Sequence, residues 1–128
     1  MESLTANAET SPRSCPLNAF LLVAGGKYKM RILWELKSKP LRYGELRRSR
    51  IVAAFGTPVT ARVLSRELRE LQARGVVHRR QRTGSTGMVE YSLTSLGESL
   101  IPVIEQIVNW GLISRAHIGA QPLDWPRI

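Results

Sequence analysis

The sequence predicts a mainly helical α+β fold in which four helical segments precede a two-stranded β-hairpin and one long helix follows it. Three observations lead to this prediction. Leucines recur at helical spacing between residues 60 and 75, and alternating apolar residues flank a Gly/Ser/Thr-rich pentapeptide at 83–87. The segment after residue 94 is apolar along two helical stripes. A chain of 128 residues accommodates one domain with a modest core.

The first two helices are delimited by proline and glycine. Pro16 suits the first turn of a short helix, because the amide hydrogen that proline lacks has no helical partner there. The glycine pair at 25–26 stops this helix, and a second helix is predicted over residues 27–36. Pro40 ends that region.

A third helix is predicted over residues 43–52, with Leu46 buried. The segment that follows, at 53–58, is expected to be irregular because Gly56 and Pro58 both break helices.

The fourth helix has the strongest sequence signals. Thr60 is the expected N-cap, and Gly75 supplies the stop. At about 100° per residue, three leucines fall on one side and three arginines on the other. The leucines of the packed side are Leu64, Leu68 and Leu71. The arginines of the opposite side, here called the arginine face, are Arg62, Arg66 and Arg69.

The hairpin and the terminal helix complete the chain. The hairpin strands are predicted over 76–82 and 88–93, and a long helix should begin after Thr94 and end near Ile113. The resulting organisation is a flexible N-terminal arm at 1–14, one folded domain at 15–113 and a C-terminal tail at 114–128.

Basic residues are concentrated in one block of the chain. The sequence has 19 Lys and Arg against 10 Asp and Glu, giving a formal net charge of +9 and a pI of about 10.8. Residues 27–82 hold 16 of the basic residues and four of the acidic ones. Such a block attracts polyanions at moderate salt, so nucleic acid is the first partner class to consider.

The reactive side chains are too few for most enzymes. Catalysis would need a nucleophile, a base or a metal cluster, yet the chain has one cysteine, two histidines without partners at metal-ligand spacing, and a single aspartate. We therefore expect no enzyme and no cofactor or metal. The longest uncharged apolar stretch, at 14–26, is too short to span a bilayer. We expect no membrane partner and a cytoplasmic, nucleoid-associated location.

The order of helices, arginine face and basic hairpin is that of a winged helix-turn-helix with a two-stranded β-hairpin wing. One helix fits the major groove of duplex DNA, where arginine can bind guanine O6 and N7 together. The residues of the fourth helix predicted to contact DNA are Thr60, Ala61, Arg62, Ser65, Arg66 and Arg69. Supporting contacts to the DNA backbone are predicted for Lys29, Arg47, Arg48, Arg79, Arg80 and Arg82.

Six spaced blocks of the sequence resemble the signature of the HxlR-type winged helix-turn-helix regulators of the MarR-like superfamily. They are CP at 15–16, GGKYK at 25–29, RYGELRR at 42–48, LSRELREL at 64–71, GVV at 75–77 and VEYSLTSLG at 89–97. The resemblance implies a homodimer that regulates transcription from a short inverted repeat. Some relatives respond to oxidants or electrophiles through a cysteine near the position of Cys15. This makes Cys15 a redox candidate, and an oxidant or small molecule a candidate effector.

The apolar pattern of the last helix also supports a homodimer. Two apolar stripes on one helix can serve two neighbours, its own domain and a second subunit. The resemblance likewise implies N- and C-terminal dimerisation helices. The predicted dimerisation residues are Leu17, Phe20, Leu21, Leu100, Val103, Ile104, Ile107 and Trp110.

Two features depart from the family pattern, and one rival function stays open. Residues 51–58 add length that either extends the third helix or loosens the turn before the arginine face, and the wing tip at 83–87 has no proline. An arginine stripe alone is more often a solvated surface. The alternative function is a non-specific DNA- or RNA-binding winged-helix module, although RNA readers rely on exposed aromatic residues that are scarce here.

Overall fold

The computed structural model describes residues 15–81 and 88–119. Within these residues, five helices and three strands follow one another. The helices are α1 (Pro16–Ala24), α2 (Lys29–Glu35), α3 (Tyr43–Arg47), α4 (Ala61–Ala73) and α5 (Ser95–Ser114). The strands are β1 (Leu41–Arg42), β2 (Val77–Gln81) and β3 (Val89–Leu93). The predicted arm at 1–14, the wing tip and the tail beyond residue 119 lie outside the described residues.

The strands form one antiparallel sheet in the order β1-β3-β2. The predicted hairpin is confirmed as the pair β2 and β3, in which Val77 faces Leu93 and Gln81 faces Val89. β1 was not predicted; it pairs with β3 through Leu41 and Tyr91. A two-residue strand has no periodicity of its own, so only its pairing with a distant strand defines it.

The third helix ends earlier than predicted. α3 stops at Arg47, and the residues up to Thr60 form turns instead of extending it. Two side chains hold this segment in place. The Ser49 hydroxyl accepts the amide hydrogens of residues 51 and 52, and Arg31 Nη1 donates to the carbonyl oxygens of Ile51 and Ala53, both at 3.1 Å. Residues 51–58 therefore form an ordered turn. Side-chain hydrogen bonds satisfy backbone groups that a longer helix would have paired internally.

The core lies between α2, α4, α5 and the sheet. Its largest fully buried side chains are Ile32, Leu33, Leu46, Leu64, Leu68, Leu71, Val52, Val59 and Val76. Ile104 also belongs to it, with 2% of its surface exposed. The prediction that Ile104 contacts a second subunit is therefore wrong, because its side chain is already covered by its own protomer. Burying each such aliphatic side chain contributes about 1.5–3 kcal/mol.

The start of α5 is tied to the base of the wing. The Thr94 hydroxyl accepts the amide hydrogen of Gly97 at 3.1 Å and donates to the Gly75 carbonyl oxygen at 2.6 Å. A Cβ at Gly97 would lie 2.2 Å from the Val76 carbonyl oxygen, so only glycine permits this approach. These contacts fix the position of the first turn of α5 relative to the sheet. No helix among the described residues is long and apolar enough to cross a membrane.

Candidate nucleic-acid interface

α4 presents the arginine face to solvent. The Thr60 hydroxyl accepts the Val63 amide hydrogen at 3.2 Å, which confirms the predicted N-cap, and Gly75 adopts a φ of +79° just beyond the helix. Three leucines of the packed side are at most 1% exposed: Leu64, Leu68 and Leu71. Five predicted contact residues are exposed on or beside this helix: Thr60, Ala61, Arg62, Arg66 and Arg69. The amphipathic pattern therefore places the arginines on the surface and anchors the helix from behind.

Tyr43 fastens α3 to the first turns of α4. Its hydroxyl donates to the Ala61 carbonyl oxygen at 2.8 Å and lies 3.0 Å from the Ser65 hydroxyl. Ser65 is half-buried, so the structure places it at the contact between the two helices, at the edge of the arginine face. Nothing in the local sequence pattern around Tyr43 indicates this contact with a residue 18 positions away.

Lys29 does not occupy the predicted position for a phosphate contact. It is 9% exposed, and its ammonium pairs with the carboxylates of Glu67 and Glu70 on α4, each at 2.5 Å. Burial alone would lower the Lys29 pKa, but the hydrogen bonds and charges of the two glutamates outweigh it and raise the pKa above 10.5. The prediction is wrong because a buried ammonium engaged by two carboxylates cannot reach the DNA backbone.

Glu67 also contacts the arginine face of α4, and Lys29 changes the pKa of Glu70. Glu67 is 7% exposed, and its Oε2 accepts a hydrogen bond from Arg66 Nη2 at 3.1 Å. The hydrogen bond from Lys29, reinforced by its charge, lowers the pKa of Glu70 below 4.5. A sequence signal for this burial exists, because Glu67 lies three residues after Leu64 and four before Leu71. Helical spacing therefore places it beside the packed side.

The wing adds exposed basic residues next to α4. Arg79 and Arg80 are exposed on β2, opposite Tyr91 and Glu90 of β3. At the end of α3, two more predicted contact residues are exposed: Arg47 and Arg48. The prediction for Arg82 concerns a residue outside the described ranges. Arginines on three successive elements thus provide a basic surface that suits phosphate oxygens.

α1 and α5 expose large apolar side chains. Those among the predicted dimerisation residues are Leu17, Leu21, Val103, Ile107 and Trp110, which are between 42% and 75% exposed. Two others, Phe20 and Leu100, are half-buried and pack against the core. An open groove also lies on the outer side of α5, lined by Pro102, Val103, Gln106, Ile107 and Trp110. Exposed apolar side chains of this size make α1 and α5 candidate interaction surfaces.

Cys15 lies at the start of the first helix. It is the N-cap residue of α1, is partly exposed and carries a free thiol. Within residues 15–81 and 88–119, no group of three or more His, Cys, Asp or Glu residues could hold a metal ion.

Comparisons with known proteins agree with this architecture. A family model described as HxlR-like helix-turn-helix matches residues 23–117. The HTH-type transcriptional regulator YdzF of Bacillus subtilis (strain 168) is 40% identical over 107 residues, covering 83% of this chain and 93% of the relative.

Solved structures that are similar to the chain include two regulators. The redox regulator HypR in its reduced form has a TM-score of 0.73 and 34% identity, over 82% of this chain and 98% of that chain. A structure described as a MarR-family transcriptional regulator from Porphyromonas gingivalis W83 has a TM-score of 0.68 and 31% identity, over 80% and 94% of the two chains.

Proposed function

The chain belongs to the HxlR-like helix-turn-helix family of transcriptional regulators, and we propose that it binds an inverted-repeat operator on duplex DNA as a homodimer. The observation that carries the proposal is the arginine face of α4, exposed while the leucines behind it are buried. Family membership makes the role of the chain regulatory and not catalytic. In this proposal, residues 15–113 form the DNA-binding domain of a cytoplasmic, nucleoid-associated protein.

The arginines divide into two roles in this proposal. Arg62, Arg66 and Arg69 enter the major groove on α4, where a bidentate contact to guanine discriminates between bases by about 1–3 kcal/mol. Arg79 and Arg80 on the wing, with the arginines at the end of α3, contact phosphates and fix the register without reading sequence. The exposed basic residues therefore supply affinity, and α4 supplies specificity.

This division makes a prediction for two single substitutions. Arg66→Ala should weaken binding to the preferred sequence by about 1–3 kcal/mol more than it weakens binding to random DNA, where only the lost charge counts. Arg80→Ala should weaken both alike and reduce the dependence of binding on salt concentration, because one fewer counterion is released. Titrations of both variants on specific and random duplexes at several salt concentrations measure these effects. Equal losses on both duplexes for Arg66→Ala would contradict the proposal.

The homodimer is proposed to form through the apolar side chains of α1 and α5. Leu17 and Leu21 on α1, with Val103, Ile107 and Trp110 on α5, would be covered by a second subunit. Twofold symmetry would place the two α4 helices about 34–36 Å apart, one turn of DNA, and demands a pseudo-palindromic site.

Selection of bound sites from a random duplex library, at near-physiological salt, tests the proposal. Enrichment of an inverted repeat with half-sites one turn apart is the expected result. Salt-sensitive binding without an enriched sequence would instead support the rival function, a non-specific binder. Preference for single-stranded or double-stranded RNA over duplex DNA would overturn the assignment.

Redox control through Cys15 is a further part of the proposal. Cys15 lies at the N-terminus of α1 with its thiol free and partly exposed, so an oxidant can reach it. The chain is also similar to solved structures of a redox regulator in its oxidised and reduced forms. Oxidation at Cys15 should change DNA affinity by reorienting α1. Peroxide or diamide should alter binding of the wild type and leave Cys15→Ser unchanged; equal responses, or none, would exclude this mechanism.

A further inference from the structure

A chain of three charged side chains connects α2 to the arginine face. Lys29 donates to Oε1 of Glu67, and Oε2 of the same carboxylate accepts from Arg66. Glu70 accepts a second hydrogen bond from Lys29. Both oxygens of Glu67 are thus engaged, one by a buried cation and the other by a residue that faces solvent.

The burial of this cluster decreases from α2 outward. The side chains of Lys29 and Glu67 are 11% and 10% exposed, whereas that of Arg66 is 53% exposed. A buried carboxylate requires compensation by charge and hydrogen bonds, and Lys29 supplies both from behind the helix. A guanidinium group has five N–H donors, so the bond to Glu67 leaves donors on Arg66 for a ligand.

We propose that Lys29 is a positioning residue for sequence recognition, which acts through Glu67 to set the orientation of Arg66. This inference rests on the proposed function of α4 in DNA binding. With Lys29 in place, Glu67 needs only one hydrogen bond from Arg66. Without Lys29, the buried carboxylate keeps Arg66 as its nearby cation and draws the guanidinium inward, away from the bases. The internal lysine therefore contributes to specificity although it does not contact DNA.

The primary test combines two substitutions with a matched control. The measured quantity is the ratio of Kd on random duplex DNA to Kd on the selected site, for the full chain. Lys29→Met should lower this ratio on the order of tenfold, as should Arg66→Ala, because each removes one base contact. The double variant should be no worse than Arg66→Ala alone. Lys39→Met removes an equal charge from an exposed lysine of the same basic block and should leave the ratio unchanged.

A second variant keeps the inference testable if Lys29→Met does not fold. Glu67→Gln has the same shape as the native residue, and Lys29 keeps its partner Glu70. Arg66 loses its ion pair, so the ratio should again fall by several-fold, while binding to random DNA strengthens because a negative charge is gone. A purely structural role of Glu67 would not lower the ratio of the two Kd values, because binding to the selected site and to random DNA would then change alike.

The outcomes separate this inference from the proposed function. A wild-type ratio of one would overturn the proposed function, and the inference with it. A wild-type ratio far above one that Glu67→Gln leaves unchanged would overturn the inference alone. Losses from Lys29→Met and Arg66→Ala that multiply in the double variant would also overturn it, since the lysine would then act independently of Arg66.

Discussion

Trp110 offers the most direct test of dimerisation through α5. Its side chain is 60% exposed, although tryptophan can bury about 250 Å². About 150 Å² is therefore open to a partner, and covering half of it is worth about 2 kcal/mol per protomer at about 25 cal/mol per Å². A twofold interface contains the residue twice, so Trp110→Ala should cost about 4 kcal/mol. The dimer Kd should rise by several hundredfold, because about 1.4 kcal/mol corresponds to a factor of ten.

Sedimentation equilibrium over a range of protein concentrations measures this Kd, and circular dichroism checks that the variant is folded. Glu105→Ala is the matched control on the same helix. Glu105 lies about 140° around α5 from Trp110 and is also exposed, so its truncation should leave the dimer intact. Weaker dimerisation should also lower the apparent affinity for a two-half-site duplex more than for a single half-site. A Kd for Trp110→Ala within about threefold of the wild type would refute α5 as the dimer interface.

Two further predictions concern stability, and urea unfolding measures both. Gly97→Ala should destabilise the protein by about 1–3 kcal/mol, because the new Cβ would meet the Val76 carbonyl oxygen at 2.2 Å. Gly111→Ala, where a Cβ meets no atom within 4 Å, should be neutral or stabilising; equal losses for the two would contradict this reasoning. The lowered pKa of Glu70 means that its pairing with Lys29 stabilises the fold above pH 4.5, and this contribution disappears as the pH falls through the folded-state pKa. Glu70→Gln should therefore be less stable than the wild type near neutral pH and equal to it in strong acid, and a pH-independent difference would refute the pairing.

Local patterns predicted the elements of this fold better than they predicted its contacts. The predicted N-cap Thr60, the start of the last helix after Thr94 and the leucine periodicity of α4 are confirmed, since a cap and a helical stripe involve residues within one or two turns of each other. The sequence predicted that the third helix extends to residue 52, whereas α3 ends at Arg47. The turn after it is held by Arg31, which lies 20 residues away from its partner Ile51, and no local signal indicates that contact.

In the candidate site too, local patterns predicted the faces of the helices but not the contacts between distant residues. The arginine face could be predicted because helical geometry alone separates Arg66 from the buried leucines. The role of Lys29 could not, because a lysine in a basic block is normally solvated, and only its distance to Glu67 identifies it as an internal ion pair. Sequence spacing likewise placed Ile104 among apolar residues of α5 but could not determine whether its own protomer or a partner covers it.

The sequence by itself determined the order of the helices, the position of the wing and the surface on which the arginines lie. These properties follow from the helical and strand periods, caps and breakers, which act over a few residues. Tertiary structure alone decided the pairing of β1 with β3, the Tyr43 contact to α4 and the burial of Lys29 against Glu67. The Lys29–Glu67 contact joins residues 38 positions apart, and such a contact exists only after chain folding has offset the loss of conformational entropy and the desolvation of both charges.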